Sequence, residues 1–281
     1  MTKPKLLDLF CCAGGAAMGY HLAGFEVVGV DIEPQKHYPF EFHQADALEY
    51  LCEHSQEFDV FHASPPCQRY SAMTNGRWKD RVFDHPDLIA PTREYFKWLD
   101  KPYIIENVVG APLINPVMLC GTMFGLQTKH GSQLRRHRLF ETNWSVGLTP
   151  PCQHNNGSAI GVYGGGQNPA RKKLPATIGV WGHAGGSSNR DGLIQFGTQD
   201  RRDAMGIDWM TGKELSEAIP PAYTLFLGER WLAQHPEFEH PDIIASRDYP
   251  RATPDDVRAM WAKLWPGREI PIDIFSERAI L

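Results

Sequence analysis

A chain of 281 residues with a net charge of −5 has room for one large or two small domains with a full hydrophobic core. Its 42% hydrophobic and 22% charged content excludes wholesale disorder, collagen and coiled coil, and no apolar run approaches the ~18 residues of a membrane-spanning helix. The charge is uneven: residues 1–127 carry a net −6, residues 128–202 a net +7 and residues 203–281 a net −6, so overall acidity hides a basic middle section suited to a polyanion.

The first apolar stretch, residues 5–10, is too short for a signal-peptide core and reads as a buried strand; a cytoplasmic protein is expected. Residues 15–23 read as a helix, with Met18 and Leu22 four apart, and residues 26–30 as a second strand ending at Asp31. A strand over 58–63 stops at Pro65-Pro66, a helix follows over 88–99, and a strand over 103–106. This alternation predicts a parallel sheet with helices on both faces. Residues 145–200 then hold 12 of the 26 glycines, with β-like fragments at 159–163 and 176–181. Helical patterns return at 213–218 and 223–233, and the polar C-terminal stretch contains one helix, with Thr253 as N-cap and Pro254 opening it. The expected organisation is therefore an α/β domain over 1–144, a small glycine-rich region over 145–202, a return to the α/β domain over 203–232, and an extension over 233–281.

The chemistry concentrates at the carboxyl ends of the predicted strands, where open α/β sheets bind ligands. Asp8-Leu9-Phe10-Cys11-Cys12-Ala13-Gly14-Gly15 forms a strand-to-helix turn of small residues, without the dinucleotide-binding glycine pattern. Asp31 could accept from ribose hydroxyls, and Asp46, after a third strand, could serve an adenine amino group. Each is individually also a turn or cap residue. Ser64-Pro65-Pro66-Cys67-Gln68 holds a thiol on a stiff turn, and Glu106-Asn107-Val108 ends the next strand with an acid, so a nucleophile and a general acid share one edge. None of the six cysteines forms a Cys-x-x-Cys pair; free thiols and no metal are expected.

These segments, together with Arg135-Arg136-His137-Arg138, resemble the cytosine-C5 DNA methyltransferases in order and spacing over roughly residues 4–232. The resemblance implies a Rossmann-like, S-adenosylmethionine-dependent methyltransferase fold with a small glycine-rich target-recognition insert. It implies that Cys67 adds to C6 of a flipped-out cytosine, that Glu106 acts at N3, that Arg138 holds the cytosine edge and that Arg136 supports the Cys67 loop. Phe10, Ala13, Gly14, Gly15, Asp31, Ile32, Asp46, Pro66, Leu88, Glu217 and Ala218 are implied at the S-adenosylmethionine site, and residues 68–84 as a loop over double-stranded DNA. A monomer is expected, either in the nucleoid or in a phage-infected cell, with a cognate restriction endonuclease as the partner to look for.

The chain departs from the family where Cys12 replaces a glycine, where Gln133-Leu134-Arg135-Arg136-His137-Arg138 replaces Gln-x-Arg-x-Arg, and where Ser216-Glu217 replaces Gly-Asn. Alternatives are an RNA-directed enzyme with the same catalytic residues, a thymidylate-synthase-like enzyme acting on free deoxycytidylate, and a catalytically silent DNA-binding protein on the same fold.

Overall fold

The structure, a computed structural model, describes residues 2–70, 86–155, 159–161, 177–179 and 197–238. The expected C-terminal helix, most of the 68–84 loop and most of the glycine-rich region lie outside the described residues.

A seven-stranded sheet runs in the order β3-β2-β1-β4-β5-β8-β6. Its strands are β1 (Lys5–Leu9), β2 (Glu26–Asp31), β3 (Glu41–Gln44), β4 (Val60–Ala63), β5 (Tyr103–Asn107), β6 (Val117–Leu119) and β8 (Arg138–Thr142). The first five are mutually parallel, whereas β8 is antiparallel to both β5 and β6. The parallel sheet expected from the first third holds for β1 to β5 and gives way to antiparallel pairing at this edge: β6 and β8 arrive without an intervening crossover helix and so can pair antiparallel. A second sheet, in the order β10-β9-β7, joins β7 (Gln133–Leu134) to β9 (Ala159–Gly161) and β10 (Thr177–Gly179).

The predicted strands over 26–30 and 103–106 each run one residue further, to Asp31 and Asn107, and two others are shorter than predicted. Phe10 leaves β1 with φ +56°. Before β4, a 3-10 turn occupies Ser55–Glu57, and the Ser55 and Phe58 carbonyls accept from Lys101 Nζ at 2.9 and 2.7 Å, so residue 58 does not enter the ladder. The helices are α1 (Gly15–Ala23), α2 (Ala47–His54), α3 (Ile89–Leu99), α4 (Thr198–Met205), α5 (Gly212–Glu217) and α6 (Pro221–Leu232). None of the described helices is long and apolar enough to cross a membrane.

The two-residue period of the strands divides the core. Leu7 and Leu9 of β1, with Phe61 of β4 and Ile105 of β5, pack with Leu51 of α2 and Phe96 of α3. Leu6, Val60 and Ile104 face the other way, towards Tyr20 of α1 and Tyr223 and Leu227 of α6. On that second face Thr224 Oγ1 donates to Ala16 O at 2.8 Å, which requires α1 and α6 to approach closely. Gly19 and Gly228 make the approach possible: a Cβ at 19 would stand 2.0 Å from Thr224 Oγ1 and 2.1 Å from Pro221 O, and one at 228 would stand 2.7 Å from Ala23 Cβ. Residues some 200 positions apart thus form one wall beneath the sheet's working edge. Gly19→Ala is expected to lower stability by about 3 kcal/mol or more, the upper end for overpacking. A urea midpoint equal to that of the unsubstituted chain would contradict this packing.

Candidate active site

The turn after β1 is shaped by positive φ angles. Phe10, Cys12 and Gly14 have φ of +56°, +45° and +81°. For Gly14 this region is free of strain, and a Cβ there would also meet Pro39 Cδ at 2.8 Å. Cys12 therefore keeps a glycine-type conformation without being glycine, at a cost of about 1–2 kcal/mol. Its amide is held by Asp31, whose Oδ2 accepts from Cys12 N at 2.9 Å while Oδ1 accepts from Glu33 N at 3.0 Å. Ile32, the residue after Asp31, is 65% exposed, an apolar side chain beside an acceptor carboxylate. Asp46 is the N-cap of α2, where its Oδ1 accepts from Leu48 N and Glu49 N at 2.9 and 3.1 Å. Leu88 is half-buried at the start of α3.

Residues 209–219 close this turn. Trp209 Nε1 donates to Ala13 O at 3.0 Å, and Gly15 packs so tightly on the end of α5 that a Cβ would lie 2.4 Å from Ile219 O and 3.2 Å from Ala218 Cβ. Desolvation raises the pKa of Glu217, with Lys213 opposing and Asp31 adding to the rise, so Glu217 lies within electrostatic reach of Asp31. Phe10, Ala13, Gly14, Gly15, Asp31, Ile32, Glu217 and Ala218 are thereby brought together from both ends of the described chain.

Beside this turn, Cys67 follows β4 on its double-proline loop. Asn107 at the end of β5 fastens that loop, donating from Nδ2 to Pro65 O at 2.9 Å, and Val108 N in turn donates to Asn107 Oδ1. Pro66 is half-buried, as is Cys67. Glu106, one residue before Asn107, is buried and ion-paired to Arg138, with Nε 3.0 Å from Oε1. The antiparallel register explains the meeting: Glu106 faces Phe140 across the ladder, and Arg138, two residues earlier on β8, shares that face. Arg136 is fully buried and donates to Ser216 O at 3.0 Å, while Tyr223 OH donates to Arg136 O. Arg135 turns elsewhere, to Gln133 Oε1 at 3.1 Å and to Asn155. Of the basic run, Arg136 and Arg138 thus supply the positive charge at this edge.

These charges act on both reactive groups. Burial raises the pKa of Glu106, and Arg138, then Arg136 and a hydrogen bond from Ser64, pull it back. Burial also pushes the Cys67 thiol up, Glu106 adds to that, and Arg138 and Arg136 oppose it.

A buried polar row beneath the edge is absent from the sequence reading. His62 of β4 is fully buried, 2.9 Å from Tyr20 OH through Nδ1 and 3.0 Å from Ser64 Oγ through Nε2. Burial drops its pKa to about 3, so it is neutral. The row runs from Tyr20 through His62 and Ser64 to Glu106. A histidine inside an otherwise apolar strand was the signal available for it. Asp8, level with His62 in the ladder, is also fully buried, and burial followed by the charges of Asp31 and Glu106 raises its pKa well above the usual carboxylate range.

The comparisons bear on the same segments. Residues 4–109 match the family model of C-5 cytosine-specific DNA methylases. The matched methylase segment contains β1 to β5, Cys67 and Glu106, and it is the family that the motifs resemble. Comparison with curated proteins returns no match. Among solved structures, the chain is similar to the methyltransferase EhMeth of Entamoeba histolytica, at 12% identity and a TM-score of 0.55, covering 84% of this chain and 99% of that one. It is likewise similar to a candidate DNA modification methyltransferase encoded within an E. coli prophage, at 13% identity and a TM-score of 0.50, covering 82% and 99%. At these identities the likeness establishes the fold, a methyltransferase fold with a seven-stranded mixed sheet.

In the free protein Cys67 is expected to alkylate slowly at neutral pH, its rate still rising with pH beyond the ordinary thiol pKa of about 8.5. Removing the nearby carboxylate by Glu106→Gln should move that rise to lower pH. A midpoint that stays in place or moves up in the variant, read from iodoacetamide rates at Cys67 by peptide mass spectrometry, would show that the two groups are not coupled.

Proposed function

We propose that this chain is an S-adenosylmethionine-dependent methyltransferase acting on C5 of cytosine in double-stranded DNA. The observation that carries the reading is the shared edge of Cys67, Glu106 and Arg138, with the methylase-like turn of residues 8–15 beside it. When bound, S-adenosylmethionine supplies an electrophilic methyl group. The residues fit such a cofactor: exposed Ile32 offers an apolar surface for adenine, and Asp31 retains acceptor capacity for ribose after bonding two backbone amides. Phe10, Ala13, Gly14, Gly15, Pro66, Leu88, Glu217 and Ala218 are proposed to line it, with Asp46 combining its capping bond with contact to adenine.

In this mechanism Cys67, as thiolate, forms a bond to C6 of the cytosine ring, and the displaced electron pair makes C5 nucleophilic. Glu106 holds a proton at N3 against the developing negative charge, which its raised pKa favours. Arg138, paired to Glu106, is placed to hold the pyrimidine edge; Arg136 keeps the C-terminal wall against that edge through Ser216 O. After methyl transfer the C5 proton leaves and the Cys67 bond to C6 breaks, restoring the aromatic ring. The substrate base must leave its stack to reach Cys67.

The net +7 of residues 128–202 supports a polyanionic substrate, and target recognition is proposed for residues 145–202. A monomeric cytoplasmic enzyme, serving beside a cognate endonuclease, completes the proposal.

The test is labelled methyl transfer to DNA, RNA or deoxycytidylate, coupled to covalent trapping on 5-fluorocytosine. DNA should take label, and Cys67→Ser should abolish trapping; trapping that survives would move the nucleophile elsewhere. Glu106→Gln should lower the transfer rate by about 10²–10⁴ with little change in cofactor affinity. Label in RNA alone would replace the DNA reading with the RNA one. Neutralising Arg171, Lys172 and Lys173 together should weaken DNA binding on every sequence and flatten its salt dependence by up to about 0.9 for each phosphate no longer neutralised. An unchanged salt slope would remove these residues from the interface.

A further inference from the structure

Where the end of β6 meets the start of β8, Cys120, His137, Cys152 and His154 converge, with one ligand atom from each lying within 4.8 Å of all the others. Cys120 Sγ is 3.3 Å from His154 Nε2, Cys152 Sγ is 3.6 Å from His137 Nε2, and the two imidazoles meet edge to face at 5.1 Å. Around a tetrahedral zinc ion, Zn–S bonds of about 2.3 Å and Zn–N bonds of about 2.0–2.1 Å separate neighbouring ligand atoms by about 3.3–3.8 Å. Both thiol–imidazole contacts already have that spacing, and no other pair needs to close by more than about 1.5 Å. Thiol–imidazole hydrogen bonding would account for either contact alone. It does not require two thiols and two imidazoles to gather at one point, and tetrahedral coordination does.

The ligands come from three segments, two of which are tied together by contacts outside the ligand set. Cys120 follows β6 and opens a 3-10 turn, Gly121–Phe124, in which Thr122 Oγ1 lies 3.3 Å from Cys120 Sγ. Gln153, between the other two ligands, donates its amide to that same Thr122 Oγ1 at 3.2 Å, and Gln133 Nε2 of β7 donates to Gln153 O at 2.8 Å. His137 immediately precedes β8. Oriented outer groups of this kind hold ligand side chains in place for a metal.

We infer that Cys120, His137, Cys152 and His154 form a Cys2His2 site for one Zn2+ ion. Thiolate with imidazole suits zinc and disfavours magnesium and calcium. The ion would fasten residues 152–154, at the entrance to the glycine-rich region, to the main sheet. Because His137 lies between Arg136 and Arg138, it would also brace the backbone that sends Arg138 to Glu106. The expectation of no metal rests on the lack of a local Cys-x-x-Cys pair, whereas these ligands meet only after β6, β7 and β8 are assembled.

The test uses the full chain, with Zn2+ and Co2+ as probes. Protein purified without chelator should hold one equivalent of zinc by plasma mass spectrometry. After exchange, Co2+ should give thiolate charge-transfer and tetrahedral ligand-field absorption. Zinc should shield Cys120 and Cys152 from alkylation while exposed Cys52 stays reactive. His154→Ala, at the exposed corner of the cluster, and Cys152→Ser should each weaken zinc binding roughly 100-fold or more while keeping the circular dichroism of the fold. Should either variant fail to fold, the cobalt titration of the unsubstituted chain decides. Absent zinc with no cobalt bands, zinc retained equally in both variants, or a Cys120–Cys152 disulfide in place of the metal would overturn the site. None of these readouts depends on methyl transfer.

Discussion

The buried ion pair between Glu106 and Arg138 is the constraint on which the working edge depends. Two charges taken out of water are tolerable only when they face each other closely, and removing one partner of such a pair typically costs about 3–5 kcal/mol. The 3.0 Å contact requires β8 to lie beside β5 in one antiparallel register. That register places Arg136 just beyond the strand, in reach of Ser216 O, and so couples the sheet edge to the α5–α6 wall. Asn107, next along β5 from Glu106, ties down the Cys67 loop. A shift of β8 by one residue would turn Arg138 to the opposite face and leave Glu106 as an uncompensated buried carboxylate.

The cleft beside that edge is held by backbone geometry more than by side-chain charge. The turn after β1 bends through three positive φ angles, two of them at residues other than glycine. Asp31 stabilises the bend at Cys12, and the tight seat of Gly15 on Ile219 O stabilises its far side. The acid that the sequence suggests for a ribose therefore also has a local duty, and both readings of Asp31 apply to the same carboxylate. A turn pinned by such contacts has less freedom to lose when a ligand arrives, which reduces the ordering cost of binding.

Much of this was legible in the sequence because its signals are local. Strands β1, β2 and β5 and helix α1 follow from short-range hydrophobic pattern, and the Pro-Pro-Cys turn follows from the conformational limits of proline. The antiparallel entry of β8 was not legible, because a strand that begins with arginine and contains glutamate, Arg138–Thr142, carries little apolar alternation. Its polar residues are matched only in space: Glu141 by a bidentate pair to Arg93 at 2.6 and 2.7 Å, Arg138 by Glu106. His62 reads as a break in an apolar strand until Tyr20 and Ser64 are seen on either side of it. The Cys120, His137, Cys152 and His154 cluster was illegible for the same reason, its members being neighbours only through the sheets.

The closure of the first turn by residues 209–224 sets an order of events during synthesis. Ala13 waits for Trp209, Gly15 for Ile219 and Gly19 for Thr224, so the floor of the cleft is absent while the ribosome is still reading the middle of the message. At about 5–20 residues per second, some ten seconds or more separate the emergence of the first strand from that of α6. Throughout that interval the nascent polypeptide exposes the apolar faces of β1 and α1 without their covering helix. The burden of keeping this protein out of aggregates therefore falls on the period before α6 emerges.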